Sequence, residues 1–119
     1  MRPKRILIID RVTRFQRLCC ARLSFEGHQV LAVRDPRQAC AIIAKEPIDL
    51  ILWDNETSIN IIKDTDIRGL MRRGIRIIIT GTGGRANQRH QDIPHYFDKS
   101  SDISDLLGYI DKALKHAVV

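Results

Sequence analysis

Four side chains with chemical potential follow runs rich in aliphatic or aromatic residues. Asp10 ends Arg5-Ile6-Leu7-Ile8-Ile9, Asp54 ends Asp49-Leu50-Ile51-Leu52-Trp53, Thr80 ends Ile75-Arg76-Ile77-Ile78-Ile79, and Lys99 follows Tyr96-Phe97-Asp98. The two carboxylates can cap helices that follow them, and the lysine can pair with one of them. The other reactive side chains form no comparable set. Cys19 and Cys20 are neighbours whose side chains diverge by about 100° on a helix, so they are not a redox pair. With Cys40 they make an odd count without metal-ligand spacing. His28, His90, His95 and His116 are scattered, and no nucleophile–base pair emerges, so these residues point to no enzyme. Gly81-Thr82-Gly83-Gly84, with Arg85 and Arg89 beyond it, suggests a nucleotide held by a Gly-rich turn, but it lacks the Lys-Ser/Thr of a P-loop.

The elements that must position the four residues are well marked. The run that ends at Asp10 is continuous, apolar and largely β-branched, as in a strand buried on both faces of a parallel sheet, and the runs that end at Asp54 and Thr80 read as further strands. Val30-Leu31-Ala32-Val33 predicts a second strand and Pro94 to Phe97 a fifth. A first helix is expected from Thr13 to Phe25, on Phe15, Leu18, Cys19 and Leu23, with Gly27 as its stop. A second, opened by Pro36 and ended by Pro47, carries Ala39, Cys40, Ile42 and Ile43. A third follows a polar turn at 55–58, uses Ile59, Ile62, Ile67, Leu70 and Met71, and stops at Gly74. The last, with Ser101 as its N-cap, has a stripe of Ile103, Leu106, Leu107, Ile110, Ala113, Leu114 and Ala117. Residues 81–92 hold one alanine and no larger aliphatic residue, which predicts a loop or a short, frayed helix. Strands alternating with helices imply an α/β fold, a doubly wound parallel sheet with helices on both faces. Its functional crevice lies beyond the carboxyl ends of the strands, where Asp10, Asp54, Thr80 and Lys99 converge.

A chain of 119 residues, 44% apolar and 29% charged, fits one domain spanning 1–119. No apolar stretch approaches the roughly 20 residues that cross a bilayer. The five-residue run after Arg5 is too short for a signal peptide, so a cytoplasmic protein is expected. The net charge of +6 is concentrated: residues 1–40 carry nine Lys/Arg against three Asp/Glu. Such a face attracts nucleic acid, acidic partners or anionic lipid. Without aromatic stacking platforms or a nucleic-acid motif, a solvated Arg-rich helix is the plainer reading, and neither nucleic acid nor membrane is expected as a partner. The oligomeric state is left open.

In this order and spacing, the chain resembles a response-regulator receiver domain, the flavodoxin-like module of two-component signalling, over essentially its whole length. Ile6-Leu7-Ile8-Ile9-Asp10-Arg11 matches the first block, Asp49-Leu50-Ile51-Leu52-Trp53-Asp54 the third-strand block, Ile77-Ile78-Ile79-Thr80-Gly81 the threonine block and Tyr96-Phe97-Asp98-Lys99 the lysine block. The resemblance implies five strands in the order 2-1-3-4-5. It makes Asp54 the phosphoacceptor, Asp10 an acid of the magnesium site with Asp54 as a further ligand, Thr80 the switch hydroxyl and Lys99 the counter-charge of the phosphate. Phosphoryl transfer onto a carboxylate uses such parts: a nucleophilic oxygen, a cation for the transferring oxygens, and donors that hold the charge afterwards.

The departures from the family pattern concern the metal and the switch. Arg11 replaces the second acid of the magnesium pair. Charges of +1 and +2 about 5 Å apart repel by roughly 6 kcal/mol at an effective dielectric of about 20. The guanidinium is also a natural partner for Asp54 or Asp10 in the metal's place. Glu56, where the family offers the metal a backbone carbonyl, adds an acid to the pocket that repels phosphate or answers Arg11. Ser100 replaces the usual proline after Lys99, and residues 81–92 stand where receivers carry their fourth helix. The expectation is an atypical receiver that keeps Asp54, works with little or no magnesium, and signals by binding a histidine kinase or a downstream signalling protein. Its alternatives are a conventional phosphoacceptor in which Arg11 moves aside, and the nucleotide-binding module.

Overall fold

The runs expected to be buried on both sides form the middle of one parallel sheet in a computed structural model that describes residues 3–56, 64–82 and 95–115. The strands are β1 (Arg5–Ile9), β2 (Gln29–Val33), β3 (Leu50–Asp54), β4 (Arg76–Gly81) and β5 (Tyr96–Asp98). Their order, β2-β1-β3-β4-β5, is the expected one, and every neighbouring pair is parallel. Successive strand residues point to opposite faces. Leu7, Ile9, Ile51, Trp53, Ile77 and Ile79 therefore enter one core, while Ile6, Ile8, Leu50, Leu52 and Ile78 enter the other.

Four helices among the described residues cover these faces: α1 (Thr13–Phe25), α2 (Pro36–Lys45), α3 (Asp64–Arg72) and α4 (Ile103–Lys115). Ala39 and Ile43 of α2 and Ile67 of α3 close the first core; Cys19 and Leu23 of α1 with Leu106, Ile110 and Ala113 of α4 close the second. Helices on both faces make this the flavodoxin-like, doubly wound sheet. Pro36 occupies the first turn of α2, and Asp35 caps it by accepting from the Arg37 N–H at 2.9 Å.

Several expectations shift in detail. Ser101 does not cap α4: Asp102 does, accepting from the Ser104 N–H at 3.1 Å, because a carboxylate one residue nearer the helix is the better acceptor. Strand β5 starts at Tyr96 and runs through Asp98, two residues later than expected at its start. Leu18 and Cys40 lie outside the cores, on the solvent sides of α1 and α2. Ile59 and Ile62, and the stretch at 83–92 expected to be loop or short helix, lie outside the described residues, as do Gly83, Gly84, Arg85 and Arg89 of the nucleotide-loop reading.

Helix α3 stops at Gly74, whose φ of +88° suits glycine and lets the Ile75 N–H reach the Leu70 carbonyl at 3.2 Å. A Cβ at this position meets nothing within 4 Å, so a substitution acts through backbone strain alone. Gly74→Ala is expected to lower unfolding stability by about 1–2 kcal/mol, with Gly74→Asn milder, as read by urea denaturation.

Candidate functional site

The carboxyl ends of β1, β3, β4 and the segment after β5 meet at one rim, and local hydrogen bonds fix each contributor. The Asp10 N–H donates to the Val33 carbonyl at 3.0 Å, carrying the β1–β2 ladder one residue past the strand. Gln16, in the first turns of α1, donates its side-chain amide to the carbonyls of Asp10 (2.6 Å) and Val33 (2.9 Å), pinning the helix to both strand ends. Asp10 Oδ1 accepts from the Val12 N–H at 2.8 Å just ahead of α1. Asp54 ends β3 in register with Thr80 of β4, and the Asn55 N–H donates to the Thr80 carbonyl at 2.8 Å. Lys99 is placed by its own N–H on the Gly81 carbonyl at 2.8 Å. A tight turn follows it, in which Asp98 Oδ1 accepts from the Ser100 N–H and hydroxyl at 2.9 and 2.7 Å.

These anchors bring the Lys99 ammonium 2.6 Å from Asp10 Oδ2 and 2.9 Å from Asp54 Oδ1. Asp10 and Thr80 are 1% exposed and Asp54 5%. The Phe15 ring lies under the same ammonium, with Nζ 4.8 Å from its centroid, so the cation is held by two carboxylates and an aromatic face. Burial raises the Asp10 carboxyl above its ordinary range and the Asp54 charge adds to this, against the hydrogen bonds from Lys99 and Val12. Burial works against the Lys99 ammonium, but its bonds to Asp10 and Asp54 prevail and hold its pKa above 10.5. Cys19, behind the site, is pushed up to about 12 chiefly by burial, which makes it an inert thiol.

A cleft of about 370 Å³ opens onto this cluster, lined by Asp54, Lys99, Glu56, Thr82 and, from α1 and its approach, Val12, Arg14, Phe15 and Leu18. Asp54 belongs to its wall and Asp10 does not. Glu56 and Arg11 are both exposed, and Lys99 is seated between the two buried carboxylates. The Thr80 hydroxyl is buried and meets no hydrogen-bond partner among the described residues. Magnesium takes oxygen ligands, and the described residues contain no group of three or more acids, histidines or cysteines that could hold a metal ion. Asp10 and Asp54 supply two carboxylates to the rim, both paired with the Lys99 ammonium, and Arg11 stands at the second acid position.

No family model and no curated protein matches the chain. Solved structures do. The signal receiver domain of an HD domain-containing protein from Pseudomonas fluorescens Pf-5 superposes with a TM-score of 0.81 at 20% identity, over 97% of each chain. A CheY-like response regulator receiver domain from Methanospirillum hungatei JF-1 gives 0.76 at 23% identity, over 95% of this chain and 94% of that one. The receiver domain of a sensor histidine kinase from Pseudomonas aeruginosa PAO1, with magnesium coordinated in its active-site cleft, gives 0.77 at 18% identity, over 97% of this chain and all of that one. The chain has the receiver fold.

Within the receiver fold, Asp10, Asp54, Thr80 and Lys99 gather as the strand-end reading expected. Gln16 and Phe15 are the contributors that reading missed. The helical spacing of Phe15 marks it as a core residue and carries no sign that its ring also faces a cation. Gln16 looked like an ordinary helix-surface residue, and only the approach of two strand-end carbonyls gives its amide a task.

Removing the ammonium should expose what it offsets. Lys99→Met leaves two buried carboxylates facing each other and is expected to cost about 3–5 kcal/mol at pH 7. The deficit should shrink as pH is lowered and Asp10, whose carboxyl is raised chiefly by burial, takes up a proton, and Asp10→Asn in the same chain should recover part of it. In the parent protein the Lys99 contribution is complete below pH 10.5 and is lost as pH rises through the higher folded-state value, so urea melts from pH 8 to 11.5 should steepen only at the alkaline end.

Proposed function

We propose that this chain is a receiver module of two-component signalling whose Asp54 centre is balanced by its own side chains and not by a divalent cation. The observation that carries this reading is the single ammonium of Lys99 shared between Asp10 and Asp54 at 2.6 and 2.9 Å. Of the two buried acids, Asp54 is the one in the cleft wall and so the phosphoacceptor; Thr80, beside it in register, is the hydroxyl for a transferred phosphoryl oxygen, and Lys99 its counter-charge. In the cleft wall Asp54 and Glu56 are matched by Arg14 and Lys99, which leaves an added divalent cation little excess negative charge to neutralise. Phosphoryl transfer to Asp54 is therefore slow and insensitive to magnesium. The module works by binding a histidine kinase or a downstream signalling protein and is not a turnover enzyme.

Intact-mass spectrometry after incubation with a small-molecule phosphodonor, with and without magnesium, tests this. The expected result is little adduct, unchanged by magnesium and absent from Asp54→Asn. A large Asp54-dependent adduct that requires magnesium would restore the conventional phosphoacceptor. Arg11→Asp is expected to create magnesium binding measurable by titration calorimetry, and no gain on that substitution would remove Arg11 from the account.

A further inference from the structure

Strand β2 ends the sheet opposite β5 and lacks the features that keep a sheet edge bare. Among the described residues it pairs on one side only, with β1. Its sequence, Gln29-Val30-Leu31-Ala32-Val33, holds no charge and no proline, and it pairs residue for residue without a bulge. Charges, prolines, bulges and very short strands are what ordinarily protect an edge. The opposite edge has two of them, since β5 is three residues long and ends on Asp98. Four of the five β2 residues are apolar, yet none is buried, and Gln29 and Ala32 are exposed. Two hydrogen bonds fix which backbone groups the strand leaves over. The Gln29 N–H donates to the Lys4 carbonyl at 2.9 Å and the Val33 carbonyl accepts from the Asp10 N–H at 3.0 Å, so Gln29, Leu31 and Val33 turn their polar groups to β1. The N–H and C=O groups of Val30 and Ala32 point outward past the edge, two ladder positions about 7 Å apart. Charge runs along this edge. Arg34 follows the strand and donates from Nη1 to Thr13 Oγ1 at 3.0 Å, Arg17 lies one turn along α1 from Thr13, and Arg37 is in the first turn of α2. All three arginines are exposed, and the acid beside them, Asp35, is engaged as the α2 cap. The amino end of β2 carries instead Glu26 and His28.

We infer that the β2 edge receives an extended segment of a partner protein, with glutamates or aspartates at its head, which adds antiparallel to β2 as a further strand. Val30 and Ala32 offer two donors and two acceptors, the four bonds that one added strand takes up, and antiparallel pairing is the more stable per residue. In that direction the first residues of the segment arrive at the carboxyl end of β2, where Arg34, Arg37 and Arg17 answer their carboxylates. Ala32 is small and lies on the same face as Val30, which leaves room for a large apolar side chain of the added strand. A second copy pairing through its own β2 sets three arginines at each end against the single acid Glu26 and joins two chains of net charge +6, so most of the positive charge goes unanswered. A nucleic acid answers the arginines but leaves the Val30 and Ala32 backbone unpaired. No residue of β2 lines the cleft beside Asp54, so the inference stands apart from the phosphoacceptor reading.

The test uses the whole chain and a fluorescein-labelled peptide of about 12 residues, with glutamates at its head followed by alternating valines and threonines. Anisotropy should show binding in the micromolar range. N-methylation of the peptide at the alternate positions that face β2 should weaken binding at least about tenfold, whereas methylation at the intervening positions should leave it unchanged. A peptide with lysines in place of the glutamates should not bind. On the protein, Ala32→Pro removes an outward N–H and keeps the ladder to β1, so the variant should fold by circular dichroism and lose binding at least about tenfold. Arg34→Glu, at an exposed position, should weaken the acidic peptide and spare one without charge. Failure of the acidic peptide to bind, indifference to the pattern of methylation, or unchanged affinity in folded Ala32→Pro overturns the inference. So does a dimer in sedimentation that Ala32→Pro disperses, or tighter binding of single-stranded DNA that Arg34→Glu abolishes and Ala32→Pro leaves intact.

Discussion

The ammonium of Lys99, lodged between the buried carboxylates of Asp10 and Asp54, is the contact on which the rest of the rim depends. Two acids withdrawn from water at the ends of adjacent strands repel each other and lose their hydration. Strand β1 can pair with β3 in the observed register only if something offsets both effects at that end. Lys99 does so from the far edge of the sheet, and it needs an accurate backbone to reach. The Gly81 carbonyl, the Asp98 turn and the Phe15 ring supply that accuracy, each through a different contact. A buried ion pair of this kind is weak evidence for added stability, because desolvation takes back most of the attraction. Its clearer effect is on uniqueness, since strand ends that do not bring one cation to two acids leave a charge stranded.

What could be read from the chain before folding, and what could not, follows from the range of the forces involved. Strands buried on both faces need apolar runs without alternation, so β1, β3 and β4 were visible in local composition, and the polar residue closing each run marked the rim. Gly27 and Gly74 were visible as helix stops, and both take positive φ. Long-range pairings left weaker traces. That Lys99 touches both acids depends on how far β5 extends past Thr80, a matter of register that single-residue spacing does not encode. The α4 cap went to Asp102 and not Ser101 because a one-residue shift in helix start decides between two good capping residues. The exposed side of α1 was hidden for a related reason: Leu18 shares the apolar character of its buried neighbours, and only their packing shows which of them the sheet has room for.

Two chemically distinct regions share one helix. The approach to α1 supplies Val12, whose N–H holds Asp10, and its first turns supply Gln16 and Phe15, which fix the strand ends and the cation. The outward side of the same turns carries Arg14 and Leu18. A helix clamped at its N-terminal end by side-chain hydrogen bonds and packed along Cys19 and Leu23 is fixed to the sheet along its inner side. Three of the nine basic residues at 1–40, Arg14, Arg17 and Arg22, lie on the solvent side of this helix.

Strand β5 is three residues long and sits at the edge of the sheet, with β4 as its only neighbour among the described residues. A strand so short has few ladder hydrogen bonds of its own and belongs, by length alone, to the parts of a protein that open first. Here it is followed at once by Lys99, whose side chain crosses back over β4 to β3 and β1. The ion pair therefore works as a tie across the sheet, and detachment of the edge and exposure of the two acids become a single cooperative event. Charge at the rim and local opening of the sheet edge are, in this chain, two readings of one equilibrium.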